Sequence, residues 1–261
     1  MESVDTQGLQ VQHLLEVHKQ FLIAVGLNNQ FAVFHSRSQR QPFERVTQID
    51  YSRCLAGAVI AIEPLKQFSS QRKAYFVVIT YGKQVSLLQF SFHITPHRME
   101  ASQVQLAKLF SETITNVQPF SLRVLYNSSV EVTTSGTQTG QKGGKEDKCL
   151  KSIEQKQEII LGCSSGTLIL YELKMQKRSI AVVGGVQMPP PQKALYQTPP
   201  ESLQEHRRVA LQEKEPLLYI EECLGPHQTN TVLFGTLSGT IYLLNHRSKP
   251  AQTIQKVDLS Q

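Results

Sequence analysis

Leu161-Gly162-Cys163-Ser164-Ser165-Gly166-Thr167-Leu168-Ile169-Leu170 is matched later in the chain by Phe234-Gly235-Thr236-Leu237-Ser238-Gly239-Thr240-Ile241-Tyr242-Leu243. Both stretches read apolar-Gly-x-x-Ser-Gly-Thr-apolar. In each, an apolar run (Ile159 to Leu161; Val232 to Phe234) meets a turn whose second glycine can adopt positive φ. A second run rich in β-branched and aromatic residues then leaves the turn. The pattern predicts a β-hairpin, twice, with Gly162, Gly166, Gly235 and Gly239 as its structural turn residues. A degenerate third copy runs from Ile23 to Phe34, where Asn29 supplies the residue that tolerates the left-handed conformation. A fourth runs from Tyr75 to Leu88.

Outward from these hairpins, each is preceded by a strand candidate: Val11 to Val17, Ala58 to Glu63, Ser121 to Tyr126 and Leu217 to Glu221. Each is followed by a weaker one: Arg45 to Ile49, Glu112 to Asn116, Ser179 to Val183 and Thr253 to Val257. Four strands repeated four times predict an all-β, β-propeller-like fold of about four four-stranded blades. They would form a whole small ring or part of a larger propeller, in a single domain over 1–261. Ser102 to Phe110 and Ser202 to Gln212 carry helical spacing and are predicted as short connecting helices. Gly162 and Gly235 stand farther apart than the roughly 40–50 residues of a compact blade. The excess is assigned to two flexible inserted loops, 128–157 and 187–214. The first is rich in Ser, Thr, Gly, Gln and Lys; the second holds Met188-Pro189-Pro190-Pro191 and Thr198-Pro199-Pro200.

Composition bounds the function. The 261 residues are 40% hydrophobic and 18% charged, which suits a folded chain with a substantial core. The net charge of +6 is spread along the sequence without a basic tail, so nucleic acid is not an expected partner. Cys54, Cys149, Cys163 and Cys223 form no C-x-x-C pair, which argues against a zinc site or a disulfide framework and for a reducing compartment. Met1 to Gln12 carries Glu2 and Asp5 and lacks the apolar core of a secretory signal. No apolar run approaches the roughly 18 residues of a membrane span. The expected location is cytoplasmic, with membranes reached only through partners. Asn127-Ser128-Ser129 then reads as a polar turn and not as a glycosylation site.

Candidate chemistry is sparse. Gly140 to Glu146 is glycine- and lysine-rich, but no Ser or Thr follows Lys145 and no strand-then-helix frame surrounds it, so it is not a phosphate loop. His93 and His97 are four apart, yet Pro96 forbids the helical face that would converge them on a metal. The hairpin turns hold Ser164, Ser165, Leu237 and Ser238 where a calcium cage would need carboxylates. Asp50, Glu63, Glu172 and Glu221 are expected as outward solubility groups. No catalytic residue, cofactor, metal or small-molecule substrate is therefore expected, and the chain reads as a non-enzyme. Two features suit partner contacts. Lys174, Lys177 and Arg178, with Arg207, Arg208 and Lys214, could form a positive patch for an acidic partner or a phosphoinositide surface. Met188 to Pro191 could present a polyproline segment.

The chain has no Trp, so the Trp-Asp dipeptide of WD repeats is absent. Gln48-Ile49-Asp50-Tyr51, Val59-Ile60-Ala61-Ile62-Glu63, Lys73, Val77-Val78-Ile79-Thr80-Tyr81 and Gln118-Pro119-Phe120-Ser121-Leu122 resemble the strand succession of the kaptin family, and the order continues into the two Gly-x-x-Ser-Gly hairpins. The resemblance covers nearly the whole chain, except that 128–157 has no counterpart and the sequence ends after four blades. It implies a propeller-like scaffold of the KICSTOR complex, which holds the GATOR complex at lysosomes and restrains nutrient-dependent TOR kinase signalling. It also implies other subunits of that assembly as partners, and an association with actin at actin-rich cell edges. The alternative reading is a propeller adaptor of another assembly, for ciliary trafficking or nucleic-acid processing.

Overall fold

A computed structural model describes residues 8–18, 21–36, 42–65, 73–94, 101–125, 129–135, 149–175, 178–182, 200–212, 214–223, 231–245 and 254–257. Among the described residues there are eighteen antiparallel strands, of which sixteen build four blades and two, β10 and β13, flank the third. Blade 1 is β1 (Val11–His18), β2 (Phe21–Gly26), β3 (Gln30–His35) and β4 (Glu44–Asp50), in that order from the inner to the outer strand. Blade 2 is β5 (Val59–Pro64), β6 (Lys73–Thr80), β7 (Gln84–Ile94) and β8 (Ala101–Thr113). Blade 3 uses β9 (Pro119–Val124), β11 (Cys149–Cys163), β12 (Thr167–Met175) and β14 (Pro200–Ala210). Blade 4 is β15 (Leu217–Cys223), β16 (Thr231–Thr236), β17 (Ile241–Asn245) and β18 (Ile254–Val257).

Apolar residues on both faces of the middle strands explain why the blades stack. Each of the first three blades buries its front face against the back of the next. Phe21, Ile23, Val25 and Phe31 of blade 1 pack on Ile62, Phe76, Val78 and Phe90 of blade 2. Tyr75, Val77, Ile79 and Leu87 of blade 2 pack on Leu122, Ile159, Leu161 and Tyr171 of blade 3. Ile160, Leu168 and Leu170 of blade 3 pack on Leu217, Ile220, Phe234 and Tyr242 of blade 4. A small fourth cluster lies on the back of blade 1, where Leu9 and Phe43 cover Ala24, Ala32 and Phe34. Burying apolar surface stabilises by about 25 cal/mol per Å², and these blade interfaces hold most of the large fully buried side chains.

The four hairpins, the inner strands and the outer strands β4 and β18 fall where the sequence pattern puts them. The other outer strands do not. Ser102 to Phe110 and Ser202 to Gln212, expected as helices, lie in strands β8 and β14, whose registers run along β7 and β12. The expected follower at Glu112 to Asn116 is only the end of β8. The follower at Ser179 to Val183 exists as β13 (Arg178–Val182), but it pairs with β11 and not with β12.

The expected loop boundaries change for the same reason. Within 128–157 lie β10 (Ser129–Ser135) and the first half of β11; within 187–214 lies β14. β11 is long enough to serve two parts of one six-stranded sheet: 156–162 pairs with β12 inside the blade, while 149–156 extends past it between β10 and β13. Residues 136–148 and 183–199 lie outside the described residues, as do Asn127, Gly140 to Glu146, His97 and Met188 to Pro191.

Candidate interaction surface

Hairpin turns between the second and third strands, together with the connections from one blade to the next, gather at one end of the blades. The turns are fixed by left-handed residues: Asn28 and Asn29 in blade 1, Lys83 in blade 2, Ser165 and Gly166 in blade 3, and Gly239 in blade 4. Asn29 takes the place predicted for it, and Gly166 and Gly239 are the turn glycines expected. Gly162 and Gly235 lie instead within strands β11 and β16.

Each turn is anchored to the entry of an inner strand. Asn29 Nδ2 donates to Gly57 O at 2.9 Å, and its Oδ1 accepts from Val59 N at 2.9 Å, tying blade 1 to blade 2. Gly82 N donates to Ala56 O at 2.9 Å, and Tyr81 N donates to Ala58 O at the same distance. Gly166 N donates to Glu215 O at 2.7 Å, Leu211 N donates back to Gly166 O at 2.8 Å, and Leu237 N donates to Pro216 O at 3.2 Å. Backbone pairing of this kind leaves the tip side chains free while holding their main chain still.

The tips are apolar where solvent would favour polar residues. Leu27 is exposed on blade 1, Tyr81 is 61% exposed on blade 2 and Leu237 is 67% exposed on blade 4, while blade 3 presents Ser165. Leu218 and Tyr219, where the last inner strand begins, extend the surface beside Leu237. Arg53, Lys83 and Lys214, in the same turns and blade connections, are exposed too. The acids nearby are engaged: Asp50 accepts from Ser52 N, and Glu215 accepts from Ser238 N. The Ser52 contacts hold the Asp50 carboxyl below its ordinary range.

Near the inner strands, Arg123 donates to Glu63 Oε1 at 3.2 Å and to Glu221 Oε1, linking blades 2, 3 and 4. Glu63 Oε2 also accepts from Val124 N at 2.9 Å, and Tyr219 hydroxyl donates to Glu221. Glu63 is thus no outward solubility group, since burial raises its pKa against the opposing pull of the Val124 amide and Arg123. This is a lattice of charges shared by neighbouring blades. Between blades 2 and 3, Arg208 is bidentate to Glu205 at 3.0 and 2.8 Å and donates to Thr115 O at 3.0 Å. Beneath it the Tyr171 hydroxyl is buried without a hydrogen bond among the described residues. Burial, then the charge of Glu112, pushes that phenol up.

The predicted basic patch is not assembled as one surface among the described residues. Arg207 lies opposite Leu170 and Arg208 opposite Ile169, so the two face opposite sides of blade 3. Lys174, near the other end of β12, pairs with Glu172 at 3.6 Å. Lys177 and the Arg178 side chain lie outside the described residues. No group of three or more His, Cys, Asp or Glu able to hold a metal occurs among the described residues, and no helix there is long and apolar enough to cross a membrane. The turn-tip residues escaped the sequence reading, although a Leu or Tyr at the tip of a tight hairpin was a legible anomaly.

No protein-family model and no curated protein sequence matches the chain. Among solved structures, the WD40 domain of SCAP from fission yeast is similar over 97% of this chain and 43% of that one, with 12% identity and a TM-score of 0.45. The fission yeast complex of SREBP and SCAP binding domains is similar over 100% of this chain and 52% of that one, with 13% identity and a TM-score of 0.41. The chain spans about half the length of these structures.

Proposed function

We propose that this chain is a non-catalytic scaffold that offers its turn face to partner proteins. The observation that carries the reading is the pair Tyr81 and Leu237, more than half exposed on turns whose backbones are pinned to the entry of their own blade's inner strand. Large apolar side chains held rigid among cations are what a partner with apolar anchors and a carboxylate rim would bind, because little entropy is lost on docking.

In its narrower form the reading is a kaptin-like subunit of KICSTOR. Such a subunit would work in the cytoplasm and at the lysosomal surface to restrain TOR kinase signalling, with actin as a second partner class. The resemblance of the strand succession from Gln48 to Leu122 supports it.

The test is affinity capture of the tagged chain beside its Tyr81→Ser, Leu237→Ser variant. Wild type is expected to hold KICSTOR components at high occupancy, and the variant to lose at least about tenfold in affinity. Because both sites are exposed, its stability should stay within about 0.5 kcal/mol of wild type. Absence of every KICSTOR component overturns the narrower form. Equal capture by variant and wild type overturns the surface.

A further inference from the structure

The blades repeat closely enough for equivalent positions to be compared. Each inner strand begins with two side chains, three residues apart across a register shift, that point back toward the preceding blade. These are Val11 and Leu14 in blade 1, Val59 and Ile62 in blade 2, Pro119 and Leu122 in blade 3, and Leu217 and Ile220 in blade 4. In blades 2 and 4 these pairs are 2% and 5%, and 0% and 5%, exposed. Val11 and Leu14 are 38% and 56% exposed.

The front of blade 4 shows the complementary deficit. Its register pairs Leu233 with Leu243 and Gly235 with Ile241. The equivalent front pairs are Ile23 with Val33 and Val25 with Phe31 in blade 1, and Ile160 with Leu170 and Gly162 with Leu168 in blade 3. The apolar members of those earlier pairs are fully or almost fully buried; Leu233, Ile241 and Leu243 are only half-buried.

Val25 and Ile79 hold this front position in blades 1 and 2, whereas in blade 3 a glycine marks where the next blade seats. A Cβ on Gly162 would lie 2.9 Å from both the Cβ and the carbonyl oxygen of Leu217 and would also strike Ser121 Oγ. Ser121 hydroxyl itself donates to Leu217 O at 2.8 Å. The inner strand of blade 4 therefore enters a notch that only glycine leaves open. Gly235 is the same position one blade later, and a Cβ there would meet nothing closer than Tyr219 Cβ at 3.8 Å. The notch is repeated and unfilled.

We propose that the front face of blade 4 docks a second copy of this chain, which seats Val11 and Leu14 of its β1 in the Gly235 notch as Leu217 seats against Gly162. Leu9 and Phe43 already cover the Ala24, Ala32 and Phe34 part of the back of blade 1. What remains open there is the inner-strand edge, and that is the part the notch accepts. The contact is heterologous, front of one copy to back of the other, so two copies close only if both ends engage; otherwise they extend head to tail.

The experiment is light scattering with sedimentation velocity across a dilution series. Wild type is expected to form dimers or larger head-to-tail species that dissociate on dilution. Leu14→Asp and Gly235→Leu should each weaken association at least about tenfold. Mixing the two variants should restore a one-to-one pair, since the Leu14→Asp chain keeps an intact notch and the Gly235→Leu chain keeps an intact β1. Leu14 is exposed and a Cβ at Gly235 meets only ordinary contact, so circular dichroism should be unchanged. If Gly235→Leu fails to fold, Gly235→Ala takes its place in the mixing test. A wild-type monomer at every concentration overturns the proposal. So does an oligomer indifferent to both variants, or a mixture that stays monomeric.

Discussion

Glu63 is held by three opposing influences whose balance sets a pH signature. Burial raises its pKa above the ordinary 4.5, while the Val124 amide and Arg123 pull it down without winning. A carboxyl whose pKa is higher folded than unfolded binds its proton more readily in the folded state. Its stabilising contribution is complete below 4.5 and is lost as pH rises through the raised folded value. The difference in unfolding free energy between wild type and Glu63→Gln should therefore change across the window just above pH 4.5 and stay flat below it. Urea titrations at stepped pH check this; a difference that shifts only below pH 4.5 would show the opposite sign. Cys163 is fully buried, and burial pushes its thiol up to about 12. Cys54 is exposed. Iodoacetamide should label Cys54 in the native protein and reach Cys163 only after unfolding, as peptide mass mapping would read out.

For single elements, two glycines with the same sequence context have opposite surroundings. Gly162→Ala drives a methyl into Leu217 and Ser121, an overpacking expected to cost about 1–3 kcal/mol. Gly235→Ala makes one ordinary contact and should change stability by less than about 1 kcal/mol. Chemical denaturation of the two variants separates them. The Gly-x-x-Ser-Gly hairpins were legible because turn chemistry and apolar runs agree within ten residues. The outer strands β8 and β14 were not, because Gln103 to Phe110 and Leu203 to Leu211 are rich in Gln, Leu, Ala, Glu and Arg, residues with good helix propensity. Pairing along β7 and β12 overrides that preference, since an edge strand is stabilised by its ladder and by its one covered face. β10 was hidden in a segment whose composition reads as linker. The charge lattice was equally opaque: Glu63, Arg123 and Glu221 are far apart in sequence, and only the stacking of inner strands brings them together.

For the whole molecule, blades 2 and 3 each contribute to two hydrophobic clusters, one per face. Removing either exposes both of its neighbours, so the three interfaces should melt together. Calorimetry should give one transition whose van 't Hoff and measured enthalpies agree. Two resolved transitions would mean that an end blade opens independently. The propeller architecture was legible from the repeat; the unequal ends of the stack were not, because they depend on which faces find a neighbour.

β11 belongs at once to blade 3 and to the extension between β10 and β13. Tension applied to that extension would be borne by one continuous covalent backbone leading into the middle of the blade. This extension is therefore a handle on blade 3: a pull on it runs along β11 to Ile160, which packs between blades 3 and 4.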